Sequence, residues 1–314
     1  MTDHVPPFIS VIVPTYDAPV LLSAVLASLG TQLYPQERAE IIVIDDGSPD
    51  RSEAALRQYQ GSLPLKPILL EAHEGRARAR NAGIRAAEGD LVVFLDDDMT
   101  VSADFLSAHA QFHTDHPDEV AIGDIRFGPQ IVPSAITRYI ESRGAQRFAD
   151  GASLPFKCFV TGNSSLERAR LLNVGLFDER FEAYGGEDLE LGFRLHGAGA
   201  RFRLCAAAGS LHHRVRPLRQ TSELMYTYGR HSLPLLLEKH PELGELLRLD
   251  FLHAGWFSPR RWMLRLALQR FIYAPIAMWA DWRQSTTLPS ILIDYLWWYN
   301  RTRGFLHYRS SGHA

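Results

Sequence analysis

Cysteine is scarce. Only Cys158 and Cys205 occur in 314 residues. That is too few for a disulfide framework; it points to a reducing compartment and leaves room for one bridge at most. Long apolar runs are missing as well. The nearest candidates, 271–280 and 288–293, fall short of the roughly 18 uncharged residues that a membrane-crossing helix needs. The stretch Met1 to Pro7 has no basic region leading into an apolar run, so no secretory signal is expected. There is no positive excess: the net charge of -3 gives no general affinity for nucleic acid. Internal repeats and low-complexity segments are absent too. What is present, 46% hydrophobic and 22% charged residues, is the composition of a globular protein. The length allows one large domain or a domain with an appendage.

The most informative stretch is Leu91, Val92, Val93, Phe94 and Leu95 running into Asp96, Asp97 and Asp98. A continuous apolar run bounded by polar residues predicts a strand buried on both faces. Adjacent carboxylates repel one another, and a divalent cation with hard oxygen ligands is the usual compensation. Upstream, strands are predicted at 8–13, 40–44 and 65–70, and helices at 20–29, 52–59 and 75–87. Alternating strands and helices imply parallel βαβ units and a sheet with helices on both faces. The second strand ends in Asp45 and Asp46, so two acidic strand ends should share one sheet edge, where open α/β sheets bind ligands. Arg76 and Arg80 are four residues apart on one predicted helix face. Their guanidinium groups suit phosphate oxygens; a solvated surface helix is the competing reading.

Val11 to Tyr16, Val43 to Ser48, Ala79 to Gly83 and Phe94 to Asp98, in that order and spacing, resemble the family 2 glycosyltransferases. The resemblance covers about residues 8–216. It implies an α/β GT-A fold, a Rossmann-like nucleotide-diphospho-sugar transferase with a mixed, mostly parallel sheet. A C-terminal helical extension follows. No glycine-rich Walker loop and no GxGxxG follows the first strand, which removes support from P-loop and dinucleotide readings. The activity implied is an inverting, metal-dependent transfer of a sugar from a nucleotide-sugar, UDP by default with GDP and dTDP open. The acceptor is a hydroxyl of a polysaccharide or a lipid-linked saccharide. The rivals are a nucleotidyltransferase, whose glycine-rich, Arg-containing loop is missing, and a non-catalytic carbohydrate- or partner-binding relative.

The same resemblance assigns roles. Pro14, Thr15, Tyr16, Asp46, Arg76, Arg80, Asp96 and Asp97 would hold the donor, and Asp98 would ligate Mn²⁺ or Mg²⁺. In Tyr184, Gly185, Gly186, Glu187, Asp188, Leu189, Asp188 takes the family's general-base position. Its carboxylate would deprotonate the acceptor hydroxyl. Acids in a first helical turn are also what the helix dipole favours by itself. Gly162, Asn163, Gly186 and Glu187 would face the acceptor. His212, with His213 as rival, matches the position of a metal- or diphosphate-contacting imidazole; neighbours in a strand point to opposite faces, so only one should face the site.

Further elements are expected as a helix at 101–113, a strand at 119–123, helix at 134–148, a loop at 149–155, a strand at 158–165, a short helix at 166–173 and a strand at 200–205. The chain divides into a catalytic domain, 1–219, with a nucleotide-sugar half (1–100) and an acceptor half (101–219), and a helical extension, 220–314. In that extension 260–271 and 291–299 combine arginines with Trp and Leu, and Pro275 should kink or end the first of these helices. This is the pattern of interfacial amphipathic helices and equally of helices packed on the domain or on a second subunit. A peripheral membrane contact through 258–303 is therefore one expectation and an oligomer contact the other. The location expected is the cytoplasm, or the inner face of the cell membrane.

Overall fold

The computed structural model describes residues 5–49, 52–247, 249, 259–283 and 288–311. Among them the chain forms two compact units. The first comprises Met1–Ile131, Glu141–Glu182 and Glu187–Arg214; the second comprises Val132–Ile140, Ala183–Gly186 and Val215–Ala314.

The first unit holds the sheet. Its strands are β1 (Ile9–Thr15), β2 (Ala39–Asp45), β3 (Leu65–Leu69), β4 (Leu91–Leu95), β5 (Met99–Val101), β6 (Glu119–Phe127), β7 (Ser153–Leu154), β8 (Asn163–Glu167) and β9 (Arg201–His212). Its spatial order is β3-β2-β1-β4-β8-β6-β9-β5, with β7 beside β9. The first four strands are parallel: Val11 sits between Ile41 of β2 and Val93 of β4. β8 then runs antiparallel to β4 and β6, while β6 and β9 are parallel. The wholly buried apolar residues of β1, β2 and β4 are why those runs are continuous rather than alternating. Helices α1 (Pro19–Leu29), α2 (Glu53–Gln58), α3 (Arg76–Ala86) and α4 (Phe105–Asp115) cover this sheet. Leu22, Val25, Leu26 and Leu29 of α1 and Phe105 and Leu106 of α4 pack into one core with Val11, Val43 and Val93.

Several boundaries differ from expectation. The helix expected at 101–113 starts only at Phe105, because Met99–Val101 forms β5, antiparallel to the end of β9. The strand expected at 158–165 starts at Asn163 and takes in Leu166 and Glu167, which were expected to be helical; Phe156–Cys158 is a helical turn instead. Both cysteines are free.

After α5 (Ala135–Arg143), α6 (Arg168–Asn173) and α7 (Glu187–Gly197) come the helices of the second unit. These are α8 (Leu218–Thr227), α9 (Leu233–Lys239), α10 (Leu243–Leu246), α11 (Pro259–Ala267), α12 (Arg270–Arg283) and α13 (Ser290–Ser310). Pro275 lies inside α12, which continues through it. The break falls earlier, between α11 and α12. Ala135, Ile136, Tyr139, Leu218, Ala280, Ile293 and Leu296 form a separate core here. Two glycines let backbones meet. A Cβ on Gly304 would lie 2.1 Å from the Tyr226 carbonyl oxygen, and one on Gly229 would lie 1.9 Å from that of Arg301. Gly304→Val should therefore destabilise the protein by about 3 kcal/mol, read as a lower urea midpoint. An unchanged midpoint would contradict this packing.

Among the described residues no helix is long and apolar enough to cross a membrane.

Candidate active site

Because β1, β2 and β4 are parallel, their C-terminal ends share an edge, and the acidic residues of β2 and β4 meet there. Thr15 closes β1 and donates its hydroxyl to Asp97 Oδ2 at 2.7 Å. Asp46 follows β2. Its backbone N–H reaches the Thr15 carbonyl at 2.9 Å, and its carboxylate accepts the N–H groups of Glu74 (2.8 Å) and Gly75 (3.0 Å). Gly47 beside it has φ +73°, and a Cβ there would sit 2.4 Å from the Ala72 carbonyl carbon, so only glycine lets this loop close. Tyr16 is 43% exposed and lies against the His73 ring at 4.2 Å between centroids. His73 Nδ1 is 2.8 Å from Asp46 Oδ2. The sequence reading missed His73, which belongs to no motif there and enters only because the loop after β3 folds back onto Asp46.

The two arginines of α3 part company. Arg76 is exposed, whereas Arg80 is 2% exposed and faces three carboxylates: Asp96 at 3.1 Å, Glu187 at 3.2 Å and Asp188 at 3.7 Å. Four residues turn a helix by about 400°, so two such residues lie roughly 40° apart. At the rim of a packed helix that is enough to place one outside and one inside. This corrects the expectation of a shared phosphate-facing pair: the Arg80 guanidinium is spent on protein carboxylates. The adjacent Asn81 bonds the Phe177 backbone on both sides, donating to its carbonyl (2.9 Å) and accepting its N–H (3.0 Å).

Asp188, in the first turn of α7, keeps a quarter of its side chain exposed. It accepts the Thr161 hydroxyl at 3.0 Å and the Thr161 N–H at 3.2 Å. Burial pushes its carboxyl up to about 6, opposed by Arg80 and assisted by Glu187. Glu187 itself is buried. Gly162 places its carbonyl to accept the Asp96 N–H at 3.3 Å. Gly186, at φ +99°, belongs to the second unit.

Asn163 is not available to an acceptor. It is fully buried, donating to the Ala208 carbonyl (2.8 Å) and Ser210 Oγ (3.0 Å), with its own oxygen 3.2 Å from His109 Nε2. It enters the sheet interior because Gly123 of β6 leaves room: a Cβ there would lie 2.2 Å from Asn163 Nδ2. Burial holds His109 down to about 3, hence neutral, in this network.

Asp98 is buried, with its Oδ2 3.4 Å from His212 Nε2 and 3.8 Å from Arg214 Nε. His213 turns to Thr100, 2.6 Å from its hydroxyl, and to Gln130, and its N–H reaches the Asp98 carbonyl at 2.9 Å. Burial raises Asp97 to about 6 despite the Thr15 hydroxyl, and neighbouring Asp98 and Asp96 add to it. Pro14 is the one prolyl residue of β1. Among the described residues no three His, Cys, Asp or Glu side chains converge to hold a metal unaided.

The profile described as Glycosyl transferase family 2 fits residues 10–171, and that described as N-terminal domain of galactosyltransferase fits 147–216. The chain belongs to glycosyltransferase family 2. It is 30% identical over 272 residues to validoxylamine A glucosyltransferase of Streptomyces hygroscopicus subsp. limoneus, covering 77% of this chain and 58% of that one. Against an uncharacterized glycosyltransferase of Bacillus subtilis, YfnE, identity is 30%, covering 65% and 64%. The chain thus spans 58–64% of the length of these relatives. Among solved structures it resembles S. aureus TarS in complex with UDP (TM-score 0.56, 20% identity, 96% and 91% covered). It also resembles the mannosyltransferase PcManGT of Pyrobaculum calidifontis with GDP-Man and Mn²⁺ (TM-score 0.59, 19% identity, 97% and 90% covered). These likenesses identify the fold as GT-A.

Proposed function

We propose that this protein transfers a sugar from a UDP-sugar to an acceptor hydroxyl with inversion at the anomeric carbon. The observation that carries this reading is Arg80: one buried guanidinium holds Asp96 of the first acidic motif and Glu187 and Asp188 of the second. Donor-side and acceptor-side carboxylates are thereby fixed around one point.

The Tyr16–His73 pair and Asp46 form the cradle for the nucleoside: an exposed aromatic side chain for the base and a carboxylate already oriented by two backbone N–H groups. Asp188 takes the acceptor proton as that oxygen attacks the anomeric carbon and the bond to the diphosphate breaks. Thr161 aims the carboxylate, and partial desolvation makes it a stronger base than a free Asp. Glu187 holds Arg80 in place. Asp98 and His212, 3.4 Å apart, would hold a divalent ion whose remaining ligands the donor would supply, as at Mg²⁺ and Mn²⁺ sites on nucleotides. Bound there, Mn²⁺ or Mg²⁺ would offset the charge developing on the departing diphosphate. The acceptor is a saccharide, free or lipid-linked; hyaluronan and chondroitin synthases among the relatives support this class. A peripheral contact with the inner face of the cell membrane through part of 258–303 belongs to the same reading.

The test is a panel of UDP-hexoses with saccharide acceptors and Mn²⁺, following UDP release and the anomeric proton of the product. One donor should be consumed and an α-linked donor should give a β-linked product. Retention of configuration, or release of pyrophosphate in place of UDP, would sink the proposal.

A further inference from the structure

The sequence reading treats 260–271 and 291–299 alike, as two basic, aromatic segments. The structure separates them. In α13, Leu296 and Tyr299 are buried, and Trp297 packs edge-on to Tyr139 at 4.9 Å between ring centroids. In α12 the same chemistry faces out. Phe271 (69% exposed), Met278 (74%) and Trp282 (75%) lie at positions i, i+7 and i+11, with exposed Pro275 at i+4 between them. At about 100° per residue this is one stripe along the helix. The other face is anchored: Tyr273, Ile276, Ala277 and Ala280 pack into the core of the second unit, and Tyr273 stacks on Tyr299 at 3.9 Å. The stripe is therefore displayed by a held helix. Exposed Trp262, Met263 and Leu266 on α11 add a second apolar face. Residue 258 and residues 284–287 of the expected contact lie outside the described residues.

We infer that the α11–α12 face is a docking surface for an anionic lipid membrane. The charge decides the occupant. Residues 259–283 carry five arginines (260, 261, 265, 270 and 283) against one acid, Asp281, in a chain whose net charge is -3. Anionic headgroups complement that excess. A second copy of the chain, meeting the same face across a two-fold axis, would set arginines against arginines. The aromatics suit the interface: the Arg283 guanidinium lies over the rings of Trp279 (5.9 Å) and Trp282 (5.3 Å), a cation at the polar edge of an apolar ring pair. Helices with Arg on one side and Trp, Phe and Leu on the other lie in the headgroup region. This deepens the membrane contact included in the proposed function, but it is read without donor or acceptor, so its failure leaves the transfer reaction unjudged.

The test is co-sedimentation of the full chain with vesicles of equimolar phosphatidylglycerol and phosphatidylcholine, against phosphatidylcholine alone. The wild type should pellet with the anionic vesicles, release in high salt and stay in solution with the neutral ones. The triple variant F271E/M278E/W282E should partition at least about tenfold less, with an unchanged circular dichroism spectrum. L172E, on an exposed position of α6, should pellet like the wild type. Should the triple variant fail to fold, brominated phosphatidylglycerol vesicles serve instead: they should quench wild-type tryptophan fluorescence, and W282F should lose part of that quenching. A wild type that stays in the supernatant, a folded triple variant that pellets equally, or a dimer in light scattering that the triple variant dissolves without vesicle binding would each overturn the inference.

Discussion

Replacing Asp188 by Asn is expected to lower turnover by about a thousandfold, the usual range for a lost general base, while UDP affinity changes little. The carboxamide keeps the shape and can still accept the Thr161 N–H, but it cannot take a proton. Arg80 retains Asp96 and Glu187, so the fold should stand. The pH profile gives an independent reading. Burial lifts the Asp188 carboxyl to about 6, so the base is ionised above that value. The rate should fall about tenfold per pH unit below it. Stability should not follow the same curve. A carboxyl whose folded value is raised above its unfolded one disfavours the folded state as pH climbs through the window from its ordinary value to about 6, so acidifying across that window does not cost stability through Asp188. Glu119 is of the opposite kind. Its hydrogen bonds from Arg203, at 2.5 and 3.0 Å, hold it below the ordinary value, and its contribution is lost only as pH falls through that lower range. Activity should therefore fail before the fold does. A rate and a thermal midpoint that fall together between pH 7 and 5 would contradict the assignment.

The second large effect is expected at Arg80. Arg80→Met fills the space but leaves the buried Glu187 and the partly exposed Asp96 and Asp188 without their shared cation. Breaking such a pairing from one side costs about 3–5 kcal/mol, and the variant should lose turnover as well. Glu187→Gln is the comparison. It removes one of the acids and leaves Arg80 paired with Asp96 and Asp188, so its cost should be well under half as large. Urea unfolding of both variants checks the order. Equal losses, or a stable Arg80→Met, would show that Arg80 is not what holds the two motifs together.

Much of this architecture was readable in advance because its physical cause is local. An apolar run as short as 91–95, bounded by polar residues, reads as a buried strand, and a triplet of acids at its end demands compensation. What the sequence hides is set at a distance. Three residues of β5 carry no pattern of their own; they are a strand because the far end of β9 pairs with them. Asn163 looks like an acceptor contact beside Gly162, yet the sheet turns it inward to His109. His73 is invisible in the sequence because only the returning loop brings it to Asp46 and Tyr16. Arg76 and Arg80 look equivalent until α3 is seated on the sheet. In the same way 260–271 and 291–299 share a composition, and only packing decides that Tyr299 is interior and Trp262 is not.

The most direct test of the central claim is calorimetry of UDP binding with and without Mn²⁺, on the wild type and on Asp98→Ala. UDP should bind tightly only with Mn²⁺. The substitution should weaken binding by about a hundredfold, since even outer partners of a metal site cost ten- to a hundredfold. Metal-independent binding unchanged in Asp98→Ala, or no binding of any nucleoside diphosphate, would contradict the donor site described here.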